Sequence, residues 1–248
     1  MDWSKYGALL GLGLAASALL LLAVAPIGWR AGWWHFRFAF SWLMTSSGLL
    51  ALAAVIVALL SLALGWATLD TTVVAMGLIA LILGAVLVYV PWQYNRTRST
   101  VPRIHDITTD TENPPEFVAA LPARAAENAA TVVYEGAELA KIQKAAYPDV
   151  APLKVPWTTA KAFEQALEVT KSMQGWTIIS FDPSAGRIEA SQASRWFRFV
   201  DDIVIRVTAD GSGSRVDMRS LSRQGRSDFG VNAARIRAYM GELKKRIG

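Results

Sequence analysis

His105, Asp106 and Asp110 lie close together and could offer a metal ion one imidazole and two carboxylates. Their spacing matches no known metal loop, and an aspartate before a turn commonly bonds its own backbone; neither a metal nor another cofactor is assigned. Arg219, Arg223 and Arg226 gather near Gly225 and ahead of a predicted helix whose first amides are free. That combination suits a phosphate, a carboxylate or an anionic lipid headgroup, and Ser227 adds a hydroxyl. Asp228 opposes this use because it can cap the helix itself, and Asp201, Asp202 and Asp217 can neutralise the arginines in a structural network. Together with Asp202, Arg206, Asp217, Asp228 and Asn232, the residues His105, Asp106 and Asp110 make a candidate polar cluster. Ser222, Ser227, His105 and an aspartate are the residue types of a hydrolytic triad, yet no G-x-S-x-G elbow accompanies them. Gly211-Ser212-Gly213 falls in a hairpin turn rather than a nucleotide loop. A binding role therefore ranks above catalysis.

The elements that position these groups belong to two different solvents. Of the 25 Lys and Arg and 20 Asp and Glu in the 248 residues, only Asp2, Lys5, Arg30, Arg37 and Asp70 precede Arg96. Residues 6–27, 38–66 and 72–92 carry no charge, and about 20 such residues cross a bilayer as a helix. Three spans are expected in residues 1–95, followed by a water-soluble domain in residues 96–248. Ala23-Val24-Ala25 has the form of a signal-peptide cleavage site, but the apolar stretch is long and Pro26 follows it, so retention is expected. Trp29, Trp33, Trp34, Trp66 and Trp92 fall where the helices should meet headgroups. Gly7, Gly11, Ala15 and Ala18 line one face of the first helix, and Gly77, Ala80 and Gly84 one face of the third. Such faces serve packing inside the bundle or, as the alternative, a homo-oligomer seam. No ionisable group lies inside a span, which argues against a transporter and leaves an anchor, or a docking surface for a protein partner in the membrane.

In the soluble part the region 101–155 is broken by prolines, with short helices within 115–130 and over 136–146. Thr158 is positioned to cap a helix that Gly175 closes. Strands are predicted over 176–182, 187–199, 203–209 and 214–222, with Asp201-Asp202 as the second turn, and Ser227 or Asp228 caps a last helix. The expected fold is an α+β domain, a four-stranded antiparallel meander with helices on one face, attached to an all-α three-helix transmembrane bundle.

Four runs in order carry a family resemblance. They are Arg103-Ile104-His105-Asp106-Ile107-Thr108-Thr109-Asp110 with Pro114-Pro115, then Gln143 with Ala146-Tyr147-Pro148-Asp149-Val150. Phe199-Val200-Asp201-Asp202-Ile203-Val204-Ile205-Arg206 follows, and last comes Asp217-Met218-Arg219-Ser220-Leu221-Ser222-Arg223 through Gly225-Arg226-Ser227-Asp228-Phe229-Gly230-Val231-Asn232. The stretch 101–243 resembles the domain of unknown function 1499 family of bacteria and plastid-bearing organisms. The resemblance implies no particular reaction or ligand.

Loop charge sets an expected orientation. Arg30, Arg37, Arg96, Arg98 and Arg103 fall on one side of the membrane, and Asp2, Lys5 and Asp70 on the other, which puts the soluble domain in the cytoplasm of a bacterium, on its inner membrane. Some proteins similar in family are exported, which makes the periplasm the alternative. Membrane lipids are expected partners. The basic stretch after Arg215 suits an anionic leaflet better than nucleic acid, and no nucleic-acid partner is expected. The preferred function is an interaction module in a membrane assembly or in envelope maintenance, and its rival is a hydrolase-like enzyme using His105 and nearby aspartates.

Overall fold

The structure, a computed structural model, describes residues 3–66 and 70–247, so Asp2, used in the charge argument, lies outside the described residues. The chain divides into two compact units, Met1–Thr97 and Arg98–Gly248.

In the first unit three helices, α1 (Trp3–Arg30), α2 (Phe36–Trp66) and α3 (Thr71–Thr100), are long and apolar enough to cross a membrane. Small residues let them approach. A Cβ on Gly11 would stand 3.4 Å from the Ala80 Cβ and 3.7 Å from the Ala54 carbonyl oxygen, and one on Gly84 would stand 3.1 Å from the Ala51 carbonyl oxygen. The small-residue faces of α1 and α3 therefore meet neighbouring helices of the same bundle. Ser47 Oγ, buried in α2, donates to the Ala18 carbonyl of α1 at 2.7 Å, so the hydroxyl is satisfied without water. Trp33, Trp66 and Trp92 present exposed rings, and Trp29 meets His35 and Phe36 edge-on. The Trp34 ring folds back over Gly28, where a side chain would collide with it, and its Nε1 donates to the Ala25 carbonyl at 3.2 Å. The third helix, expected to end near Trp92, continues to Thr100, because charge after Arg96 ends hydrophobicity without ending helix; the next breaker is Pro102.

The second unit is α+β. Its strands are β1 (Asp106–Thr108), β2 (Leu153–Val155), β3 (Trp176–Asp182), β4 (Arg187–Ala193), β5 (Val200–Asp210) and β6 (Gly213–Ser222). Its helices are α4 (Leu121–Ala126), α5 (Ala137–Ala146), α6 (Thr159–Ser172) and α7 (Val231–Lys245). All strand pairs are antiparallel in the order β1-β6-β5-β4-β3, with β2 also paired to β6. The meander β3 to β6 is the expected one. Two three-residue strands extend it inside the proline-broken region, β1 pairing Asp106 with Leu221 and β2 pairing Leu153 with Val216.

Alternation divides the sheet into two faces. Ile188, Ala190, Ile203, Ile205, Val207, Val216 and Met218 point to one, where Ala162, Phe163, Ala166 and Val169 of α6 and Ala233, Ile236, Tyr239 and Leu243 of α7 complete the main core. Thr158 caps α6 by accepting from the Lys161 amide, as the sequence implies. On the other face Val204 and Leu221 form a small apolar cluster with Phe117, Ala120 and Val132, from the irregular segment that carries α4.

Two local expectations are corrected. The β4–β5 turn is residues 194–199, not Asp201-Asp202: the Ser194 amide donates to the Phe199 carbonyl at 2.8 Å and the Ser194 hydroxyl accepts from the Phe199 amide at 2.9 Å. Its aromatic residues read as strand, although Arg198 lies in the left-handed region at φ 58°. The last helix begins at Val231, a few residues later than a cap at Ser227 or Asp228 would start it, because Phe229 and Gly230 have φ of 55° and 82° and hold the chain outside helical geometry.

Candidate functional site

On the second face of the sheet the side chains expected to do chemistry are paired with one another. Asp106 of β1 grips Arg219 of β6 with two parallel hydrogen bonds, Nε to Oδ1 at 2.9 Å and Nη2 to Oδ2 at 2.7 Å. The same guanidinium donates to the carbonyls of Val132 at 2.7 Å and Pro115 at 3.3 Å, and lies 5.3 Å from the Phe117 ring centre and 5.6 Å from that of Tyr134. Such bidentate, ring-flanked geometry is what arginine supplies and lysine cannot. Burial, with the Asp106 charge beside it, pushes the Tyr134 hydroxyl up to about 12.

Asp202 of β5 is fully buried and holds two arginines: Arg223 at 2.9 and 2.7 Å, and Arg124 of α4 at 2.7 Å. Arg223 continues to Glu127 at 2.5 Å, and the Asp202 hydrogen bond leads the contacts that raise its pKa further. At the far end of the sheet Asp110 and Asp217 share Arg206 and Arg215, with contacts of 2.8 to 3.1 Å. Burial raises the pKa of Asp110, but the Asn113 amide, Arg215, the Glu112 amide and Arg206 together outweigh it and hold the carboxyl below its ordinary value. Between these clusters Glu189 of β4 accepts the amides of Val118, Ala119 and Ala120, each at 2.9 Å, just ahead of α4. The ionic layer thereby fastens residues 110–134 over the sheet.

On the first face a second polar group closes one end of the main core. Asn232 of α7 accepts from Ser220 Oγ at 2.7 Å and donates to the His105 carbonyl at 2.9 Å and to Ser222 Oγ at 3.1 Å. Arg235 donates to Ser220 Oγ at 2.8 Å, Gln192 at 2.8 Å and Asp201 at 2.6 Å, and also to Asn232. Asp228 accepts the amides of Gly230 at 2.9 Å and Asn232 at 2.8 Å, tying down the start of α7. Burial raises its pKa, those two amides lower it, the Asp201 charge raises it and His105 lowers it; the net shift is upward. The His105 Nε2 is buried without a hydrogen-bond partner among the described residues, as is the Tyr147 hydroxyl.

The candidate residues thus separate. Asp106 and Asp110 are bound to different arginines, and no group of three or more metal-ligating side chains occurs among the described residues. Arg219 and Arg223 do not form an anion site with Arg226, since their guanidiniums are closed on Asp106 and Asp202. Arg226 is exposed, and Ser227 accepts weakly from the Phe229 amide at 3.4 Å. Ser222 bonds Asn232 rather than an imidazole, so no triad is assembled around it. Arg124, Glu189, Arg235 and Gln143 are central to these networks and escape the sequence reading as site residues. Gln143 bonds both the amide (3.0 Å) and the carbonyl (2.7 Å) of Thr108, as a neighbouring strand would. Polar residues at buried strand or helix positions are the signal that could have found them.

A six-stranded antiparallel sheet, helices over one face, an irregular ion-paired cover on the other and three apolar helices ahead of it define the class: an α+β domain joined to helices of membrane-crossing length. Residues 106–243 match the family described as Protein of unknown function (DUF1499), and the chain belongs to that family. No curated protein matches it. The crystal structure of TTHA0849 from Thermus thermophilus is similar over 39% of this chain and 94% of that one, at 10% identity and a TM-score of 0.24.

Proposed function

We propose that the chain is a three-span integral protein of the bacterial inner membrane whose α+β unit is an interaction module, an accessory part of a membrane assembly or of envelope maintenance. The observation that supports this over catalysis is the fate of the reactive side chains. Asp106, Asp202, Arg219 and Arg223 satisfy one another inside the fold, which is how such residues serve architecture rather than substrate. Loop arginines favour a cytoplasmic unit, with the periplasm as the alternative. The test is extraction of the full-length chain in mild detergent followed by gel filtration. A membrane protein co-eluting in fixed ratio is the expected result; the chain alone, with no partner recovered after cross-linking in native membranes, overturns the reading.

The hydrolytic alternative keeps one observation, the His105 Nε2 that has no hydrogen-bond partner among the described residues and lies near Asp228, a carboxyl that holds its proton more tightly than usual. Ester and phosphoester hydrolysis that disappears in His105→Ala while the fold persists would favour it.

A further inference from the structure

Three segments meet at one end of the sheet in the second unit. The Arg223 amide donates to the Val200 carbonyl at 2.9 Å, which joins the loop after β6 to the base of the β4–β5 turn. The amides of Ser222 and Asp228 donate to the carbonyls of His105 and Ile104, each at 3.1 Å, which joins that loop to the segment by which the chain enters the unit. This end therefore carries Arg103, Arg195, Arg198 and Arg226, all exposed. None of the four has an acidic partner among the described residues, whereas Asp201, Asp202, Asp228 and Glu127 nearby are buried or paired with Arg223, Arg235 and Arg124 or with backbone amides. At the turn Trp196 stands 47% exposed, with its ring edge-on to the buried Phe197, which in turn stacks on Phe199 at 5.2 Å.

We propose that this end of the α+β unit docks on an anionic lipid surface, with Trp196 seated at headgroup depth and Arg103, Arg195, Arg198 and Arg226 on lipid phosphates. An indole prefers the membrane interface, guanidiniums bind phosphate in bidentate fashion, and basic residues gather at anionic leaflets. The place of attachment supports the same occupant. The chain reaches this end directly after α3, whose charged last turns begin at Arg96, so lipid is the surface within a short tether's reach. The proposal rests on the membrane-spanning part of the function proposed above and adds the partner of the soluble unit.

The experiment uses the full-length chain in nanodiscs of phosphatidylcholine alone or of phosphatidylcholine with phosphatidylglycerol, read by amide hydrogen exchange. Peptides covering 194–199 should exchange about tenfold more slowly in the anionic discs. The turns 183–186 and 210–213, at the opposite end of the sheet, should not change. The protection should vanish in about 1 M salt, where screening shortens to about 3 Å. It should vanish too in the variant Arg195→Gln, Arg198→Gln, Arg226→Gln, and shrink in Trp196→Ala; all these positions are exposed and leave the core intact. Equal exchange in the two disc compositions overturns the proposal while the spanning helices stand. A chain that never incorporates into discs overturns both.

Discussion

Arg219 makes four hydrogen bonds, two of them to Asp106, within a cage closed by Phe117 and Tyr134. Removing the acid leaves a buried cation without its counter-charge, the costly half of breaking a buried pair. Asp106→Ala should destabilise the α+β unit by about 3–5 kcal/mol, read by denaturant unfolding. Two other carboxyls should respond to pH in opposite senses. Asp228 binds its proton more tightly folded than unfolded, so its contribution to stability falls as pH rises from 3.8 through its higher folded pKa. Asp228→Asn removes that fall, and its stability relative to the parent chain should improve as pH rises through this window. Asp110 binds its proton less tightly when folded, so its contribution is complete above 3.8 and is lost as pH falls through its lower folded pKa. Asp110→Asn should therefore lower stability near neutrality and flatten the acid side of the curve. Thermal melts at several pH values check both signs.

At the scale of elements, Glu189 is the most informative residue. A strand carboxylate that accepts three consecutive amides acts as a cap for a helix distant in sequence, and α4 has no side-chain cap of its own. Glu189→Gln keeps one acceptor oxygen and loses the charge, so amides 118–120 should exchange faster while those of β5 stay protected. Such long-range partners explain what was legible and what was not. The strand period of Ile203, Ile205 and Val207 and the Thr158 cap are local signals, and both hold. β1 and β2 have three residues each and exist because the β6 edge offers unpaired carbonyls and amides, a condition no local pattern records. The Asp201-Asp202 pair reads as a turn because aspartates favour turns in isolation; here Arg235, Arg124 and Arg223 make a strand position affordable for them. Arg219, Arg223, Asp106 and Asp202 stand out in the sequence as residues that need explaining, and the structural network weighed against the anion site is the arrangement they adopt. Gly186 is a turn glycine whose replacement should be severe. At φ 62°, its missing Cβ would lie 2.2 Å from the Val207 carbonyl oxygen. Gly186→Ala should cost more than a kcal/mol or so, measured by the same unfolding experiment.

For the molecule as a whole, each of the two units has its own buried residues. A fragment of residues 98–248 should be soluble and unfold in one cooperative transition by circular dichroism, and a multistate melt would contradict that. The uneven covering of the sheet shapes how that transition begins. The helix-covered face is sealed by a large apolar core, whereas residues 110–134 are held mainly by carboxylates, guanidiniums and borrowed amides around Val204 and Leu221. If that cover lifts while the sheet and its two long helices remain, what comes into view is chiefly charge, which water solvates at once, and little oil. The first excursion away from the native state is then a hydrated, non-sticky one, and thermal stress should reveal a reversible loosening well before aggregation sets in.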